Sequence, residues 1–132
     1  MSAEEKCGAA DAEQSRTADL MAVVKAEHAV IDARFSELAT AGTAVWRRHA
    51  AAKGRVTRAL KDGHAGRIAD ARRRENEAYR EARRIADECL AEMSALNRAR
   101  LDNVGAMFEQ MDRSWAAGAA ALRALQHPED ES

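Results

Sequence analysis

The chain has 132 residues, enough for a single domain or for one long extended element. Its formal net charge of −1 at pH 7 gives no overall attraction to nucleic acid or to an anionic membrane. The 32 alanines, against 7 glycines and 1 proline, are typical of helix. Val, Ile, Leu and Phe together number only 19, which is few for a compact globule.

Residues 1–14 are polar and alanine-rich, and we predict a flexible N-terminal segment, with Asp11 or Ser15 capping the first long helix. The N-terminus lacks the basic and then apolar pattern of a signal peptide. The longest purely apolar run, WAAGAAAL, is far too short to span a bilayer. We therefore expect a cytoplasmic protein, with the cytoskeleton as one candidate location.

Apolar residues recur at alternating steps of three and four over residues 21–56, which is the heptad period of a coiled coil. The positions on this line are Met21, Val24, His28, Ile31, Phe35, Leu38, Gly42, Val45, His49, Ala52 and Val56. Gly42 leaves a second layout open, because Thr43 could cap a new helix there and give a three-helix bundle. A glycine inside a helix costs only about 1 kcal/mol relative to alanine, so Gly42 alone does not decide between them.

The stretch KDGHAG, with turn residues at 62–66, separates the first heptad segment from a second one. The second line begins with Ile68, Ala71, Glu75, Ala78, Ala82, Ile85 and Cys89. Three successive steps of four then lead to Met93, Asn97 and Leu101, which predicts a stutter in the supercoil. The line resumes through Val104, Phe108, Met111, Trp115, Gly118, Leu122 and Leu125. Pro128 should end the helix at or before His127, leaving residues 128–132 as an acidic tail.

If the chain folds back near residue 64, the two apolar lines align almost throughout. Leu38 then lies beside Cys89 and Leu90, and Val45 beside Ala82. The sequence therefore predicts an all-α fold, a long antiparallel helical hairpin (two-helix coiled coil) over residues 15–127, with the three-helix bundle as the alternative. Four apolar residues of the second arm would face residues 3–17 of the first arm, which contain no apolar side chain bulkier than Cys7. We predict that these four pack against a partner helix: Met111, Trp115, Leu122 and Leu125.

Charge is distributed unevenly along the chain. Residues 47–84 carry 13 Lys/Arg and 5 Asp/Glu, whereas the segments before and after them have net charges of −4 and −5. A positive field of this kind attracts and orients an acidic surface. The candidate residues for binding an acidic partner are Arg47, Arg48, Arg55, Arg58, Arg67, Arg72, Arg73, Arg74, Arg80, Arg83 and Arg84. The competing interpretation is an ordinary solvated helix face.

Catalytic and ligand-binding motifs are missing from the sequence. No Glu-x-x-His pair, Cys cluster or glycine-rich phosphate loop is present, so we predict no metal, no cofactor and no small-molecule substrate. His28 and His49 fall on the first apolar line, where a polar residue more often fixes helix pairing. Cys89 has no histidine placed to activate it. We therefore predict that the protein is not an enzyme.

These patterns favour a non-enzymatic coiled-coil structural or adaptor protein in a multi-subunit assembly, with homo-oligomers as one form of that assembly. The basic segment would dock on an acidic partner, for which cytoskeletal, microtubule-based and ciliary scaffolds are candidates. The alternative function is nucleic-acid or anionic-membrane binding through the arginine-rich segment 47–84. Tyr79 is the only aromatic residue within the arginine run, which argues against a stacking surface for single-stranded nucleic acid.

Overall fold

Two long helices packed against each other make up almost all of the protein in a computed structural model. Helix α1 spans Ala3–Asp62, helix α2 spans Ala65–Gln126, and a short 3₁₀ helix follows at Pro128–Glu131. The structure describes the backbone of residues 1–131 and the side chains of residues 1–129, and no strand occurs in this part. Ser132 and the side chains at 130 and 131, which belong to the predicted acidic tail, lie outside the described residues.

Helix α1 begins near the N-terminus, in contrast to the predicted flexible segment at 1–14. Ser2 caps the helix, because its Oγ accepts a hydrogen bond from the Glu5 backbone N–H at 3.1 Å. Ser-x-x-Glu is the capping-box signature, and Glu4 and Glu5 also carry negative charge next to the positive end of the helix dipole. The capping assigned to Asp11 or Ser15 is therefore wrong, since both residues lie inside α1.

The reversal between the helices takes only Gly63 and His64. Gly63 has φ of +72°, a left-handed conformation that suits glycine, and its N–H reaches the Ala59 carbonyl at 3.1 Å. His64 then caps α2, because its Nδ1 accepts a hydrogen bond from the Arg67 backbone N–H at 3.2 Å. The sharp turn makes the two helices antiparallel neighbours and confirms the helical hairpin.

Helix α1 runs through Gly42 without a break, so the alternative three-helix bundle is wrong. A β-carbon added at Gly42 would meet nothing within 4 Å, and no left-handed conformation is needed there. Helix α2 ends at Gln126, which agrees with the stop expected from Pro128.

The contacts divide the hairpin into two compact units, each built from both helices. The terminal unit contains Met1–Ile31 and Arg98–Ser132, and the turn unit contains Asp32–Asn97.

In the turn unit, α1 buries one residue every seventh position. Leu38, Val45, Ala52 and Ala59 are 2–9% exposed, and Ala82 of α2 is fully buried. Val45 and Ala82 line one groove, and Leu38 lines another with Cys89, Leu90 and Met93. The predicted pairing of the two helices is therefore correct in this unit.

In the terminal unit, small residues hold the helices together. Ala10, Val24 and Ile31 of α1 are buried, as are Ala121 and Ala124 of α2. Gln110 is the only polar residue in the buried set of the described chain, at 7% exposure. Its Nε2 donates to the Glu13 carboxylate at 2.7 Å and lies 3.4 Å from the Thr17 hydroxyl. This hydrogen bonding satisfies a polar group that would be costly to bury alone.

The face that α2 turns toward α1 in this unit differs from the predicted one. The buried and half-buried positions off the predicted line are Arg100, Asn103, Met107, Gln110, Ser114, Ala117, Ala120, Ala121 and Ala124. Most lie one residue before the predicted line, and Val104 and Gly118 of that line are themselves half-buried. The predicted line through Asn97 and Leu101 is wrong, because both are exposed and Leu96 is half-buried instead. Small side chains at Ser114, Ala117 and Ala121 allow close approach to the alanine-rich start of α1.

A matched pair of leucines tests which face of each helix is buried. We expect Leu38→Ala to lower the free energy of unfolding by about 2–5 kcal/mol, because Leu38 is 5% exposed. Leu90→Ala should cost less than about 1 kcal/mol, because Leu90 is 61% exposed. Urea unfolding followed by circular dichroism measures both, and equal losses would contradict the assignment of the buried faces.

A matched pair of glycines tests the turn. Gly63→Ala should destabilise the protein by about 1–2 kcal/mol, since alanine is strained at positive φ. Gly42→Ala should stabilise it by about 0.5–1 kcal/mol, because the site is helical and open. Thermal unfolding gives both values, and stabilisation by Gly63→Ala would rule out the left-handed turn.

Candidate interaction surfaces

The eleven arginines predicted to bind an acidic partner all lie in the turn unit, and all are exposed. We call this set, Arg47 to Arg84 as named above, the arginine surface. The turn unit carries 14 Lys/Arg and 10 Asp/Glu, whereas the terminal unit carries 7 and 12. The arginine surface therefore belongs to a unit of net positive charge.

Four members of the arginine surface have a carboxylate within 4 Å. Arg48 lies 3.7 Å from Glu81 on the other helix, and Arg84 lies 3.1 Å from Glu88. Arg73 and Arg74 share Asp70, at 2.5 and 3.3 Å. Among the described side chains, seven have no such ion pair: Arg47, Arg55, Arg58, Arg67, Arg72, Arg80 and Arg83. Most guanidinium groups of this surface thus keep their donors available.

An open groove between the helices gathers charged groups of both signs. Its walls carry Arg48, Arg55 and Arg74, together with Glu77 and Glu81, and alanines with Val45 form its floor. A guanidinium group presents several N–H donors in a planar fork that suits carboxylates and phosphates. The two glutamates reduce the local positive charge, so the groove by itself is a weaker anion site than the exposed arginines around it.

An aromatic cluster beside this surface was not found from the sequence. The rings of Trp46, His49 and Tyr79 lie with centroids 5.3–6.1 Å apart in edge-on or tilted contacts. His49 Nε2 is 3.5 Å from the Glu75 carboxylate, across the two helices. Trp46 and Tyr79 are 40% and 43% exposed, and both rings contact the ring of the half-buried His49.

The strongest ion pair between the helices of the turn unit joins Arg34 and Glu92. Arg34 donates from Nε and Nη2 to the two Glu92 carboxylate oxygens at 2.7 and 2.9 Å, and from Nη1 to Glu37 at 2.8 Å. These hydrogen bonds from Arg34 lower the pKa of Glu92 below its usual 4.5. Both side chains are over 40% exposed, so solvent screens the pair.

The terminal unit carries an exposed line of large apolar residues on α2, which we call the apolar stripe. It consists of Leu101, Phe108, Met111, Trp115, Leu122 and Leu125, with the half-buried Val104 and Gly118 on the same line. Trp115 is 82% exposed, and the other five side chains range from 46% to 66%. These side chains include the four predicted to pack against a partner helix. They are exposed because α2 packs against α1 through the adjacent face, which carries smaller side chains.

A groove beside the stripe extends it toward α1. Gln14 and Thr17 of α1 form one wall, and Met111, Trp115 and Leu122 lie on the other. The stripe and the buried face of α2 are offset by one residue, which is about 100° around a helix. A helix with two contact faces at nearly a right angle can pack against two neighbouring helices, as each helix of a four-helix bundle does.

The histidines and cysteines considered from the sequence do not form a common site in the described part of the chain. His28 is half-buried, with a buried Nε2 that has no hydrogen-bond partner among the described atoms. Cys7 and Cys89 are free thiols, both half-buried. Within the described residues, no three His, Cys, Asp or Glu side chains come together as a metal site. Among the described residues, neither helix contains a stretch long and apolar enough to cross a membrane.

No protein-family model, curated protein or solved structure matches this chain.

The lowered pKa of Glu92 gives a pH-dependent prediction. The Arg34–Glu92 pair should stabilise the fold above pH 4.5, and this stability should be lost as the pH falls through the lower folded-state pKa. We expect Glu92→Gln to lower the Tm slightly at pH 7 and to match the wild type at strongly acidic pH. Glu109→Gln, at an exposed site, is the control. A difference in Tm between wild type and Glu92→Gln that is equal at pH 7 and pH 3 would contradict this role.

Proposed function

We propose that this protein is a non-enzymatic coiled-coil structural or adaptor protein within a larger assembly. The arginine surface docks on an acidic partner, and the apolar stripe packs against a partner helix. The observation that carries the proposal is the exposed apolar stripe, six large side chains on one helical line that the described part of the chain leaves exposed. Exposed apolar patches of this extent are typical of interaction sites.

The coiled-coil assignment rests on the spacing of the buried residues. In the turn unit, the buried positions of α1 recur every seven residues from Leu38 to Ala59. A seven-residue repeat keeps one seam facing the partner when two helices supercoil. Alanine at Ala52, Ala59 and Ala82 makes this seam narrow, so each residue contributes little buried area. A partner that covers more apolar surface would add stability by mass action.

The acidic partner is inferred from the charge of the turn unit and the state of its arginines. Seven arginines carry no carboxylate neighbour in the described chain, so binding an anionic surface would not require breaking internal ion pairs. A protein surface rich in Asp and Glu satisfies guanidinium donors by charge-assisted hydrogen bonds. An acidic filament such as a microtubule is one concrete candidate, and it places the protein at the cytoskeleton.

The experiment is co-sedimentation with microtubules, using variants chosen for their lack of internal ion pairs. We expect Arg55→Gln/Arg72→Gln/Arg80→Gln to weaken co-sedimentation at least tenfold without loss of helicity, because exposed arginines steer and hold an acidic surface. The matched control removes three arginines of the terminal unit, Arg98→Gln/Arg113→Gln/Arg123→Gln, and should bind as the wild type does.

Parallel binding assays with single-stranded DNA and with phosphatidylserine vesicles separate the alternatives. Preferential binding to DNA, with an affinity that falls linearly in log salt, would replace the acidic protein by a phosphate backbone. Preferential binding to the vesicles would replace it by a membrane surface. Equal binding by the triple arginine variant and the wild type to all three targets would refute a role for the arginine surface.

A further inference from the structure

We propose that the apolar stripe pairs with the same stripe of a second copy of this chain, antiparallel and about a two-fold axis level with residue 113. This inference deepens the proposed function, on which it rests, by naming the partner helix as α2 itself. The pairing is isologous, meaning that each copy offers the same patch and the contact closes after two copies.

The side-chain volumes along the stripe complement one another in the antiparallel arrangement. A two-fold axis at residue 113 puts Phe108 opposite Gly118 and places two apolar side chains in each of the other layers. The four facing pairs are Leu101 with Leu125, Val104 with Leu122, Phe108 with Gly118, and Met111 with Trp115. Each layer therefore contains between one and two large side chains, which is the condition for even packing.

A parallel arrangement of the same stripe would pack unevenly. It would place Gly118 against Gly118, leaving a gap, and would crowd Trp115 against Trp115. Gly118 has open space around its Cα within one chain, since an added β-carbon would meet nothing within 4 Å. No requirement of the single chain explains a glycine there, whereas the ring of Phe108 from a second copy would fill that space.

The charges on this part of α2 also favour self-association in the antiparallel sense. Residues 100–126 contain three arginines and three acidic residues, so the two paired segments themselves carry no net charge. Antiparallel pairing brings Asp102 of one copy level with Ala124 of the other, next to Arg123. Parallel pairing would instead bring Asp102 to Asp102 and Arg123 to Arg123, which is unfavourable.

The area available agrees with a specific dimer. Six side chains that each expose on the order of 100 Å² give roughly 600 Å² per copy, near the ~800 Å² per partner of a standard-size interface. The flanking, exposed Ala116 and Ala119 add surface and allow close approach. Because the stripe lies about 100° from the face that α2 gives to α1, a second copy completes a bundle of four helices.

The test begins with the mass of the full-length chain by sedimentation velocity, at about 1–100 μM to cover micromolar Kd values. We expect the mass to rise from 14.4 kDa to twice that value. Trp115→Glu should weaken the dimer at least a hundredfold, whereas Val30→Glu, at a comparably exposed apolar site of the same unit, should leave it unchanged. Circular dichroism verifies that both variants remain helical.

A second variant separates dimer contacts from folding. Gly118→Leu should raise the Tm of the monomer, because leucine is the better helix former and has room. In the dimer the same leucine would meet Phe108, so we expect association to weaken at least tenfold. Gly8→Leu, also helical and open, should raise the Tm and leave association unchanged. Association undiminished by Gly118→Leu would overturn the proposed facing pairs.

Spin labels determine the direction of pairing. In a background without the native thiols, Cys7→Ser/Cys89→Ala, labels are attached at Asp112→Cys or Arg123→Cys. Residue 123 lies about ten residues from the axis, so the two labels at 123 should be about 30 Å or more apart, and those at 112 much closer. A short 123–123 distance would overturn the antiparallel arrangement.

Failure of this inference is distinct from failure of the proposed function. A chain that stays monomeric at all concentrations, or a dimer that survives Trp115→Glu, would overturn self-pairing through the stripe. If such a chain still co-sediments with microtubules through its arginines, the adaptor function stands. A dimer with the predicted spin-label distances that binds no acidic target would support self-pairing and refute the docking function.

Discussion

A neighbouring helix covers only one face of the helix it packs against. In the terminal unit, α2 packs against α1 through the face that carries its smaller side chains. Ser114, Ala117, Ala121 and Ala124 allow the two backbones to approach closely, and the Gln110 hydrogen bonds to Glu13 fix this choice. The large residues one position further along are consequently left in solvent. The exposed stripe, the groove beside it and the proposed partner all follow from this choice of face.

In the turn unit, a few large apolar side chains and one ion pair join the two helices. Its seam is also narrow, but Leu38 and Val45 supply bulk, and Arg34 links the helices through Glu92. With the interface closed by few residues, the remaining positions of both helices are free to carry charge. Seven arginines have no ion pair among the described side chains, and this feature makes an acidic partner chemically reasonable.

The hairpin could be predicted from sequence because its signals are local and strong. Gly63 is the residue that the left-handed turn needs, and the seven-residue spacing from Leu38 onward has no competitor on α1. Two features could not be predicted in the same way. Between residues 98 and 126, α2 has two candidate contact faces, and the heptad pattern follows the one with the larger apolar side chains. Which face is buried depends on the small residues that α1 presents there, a tertiary constraint. The capping box at Ser2 was a readable signal that the polar composition of residues 1–14 concealed.

The most direct test of the central claim is an intramolecular disulfide trap in the cysteine-free background, with Thr17→Cys as the fixed partner. In the structure the Gln110 amide lies 3.4 Å from the Thr17 hydroxyl, whereas Phe108 is 61% exposed on the stripe and does not line the groove beside Thr17. Thr17→Cys with Gln110→Cys should therefore oxidise readily to an intramolecular disulfide, and Thr17→Cys with Phe108→Cys should oxidise slowly. Mass spectrometry distinguishes bonds within a chain from bonds between chains. Faster intramolecular closure by Phe108→Cys would mean that the large face of α2 is the buried one, and would contradict the account.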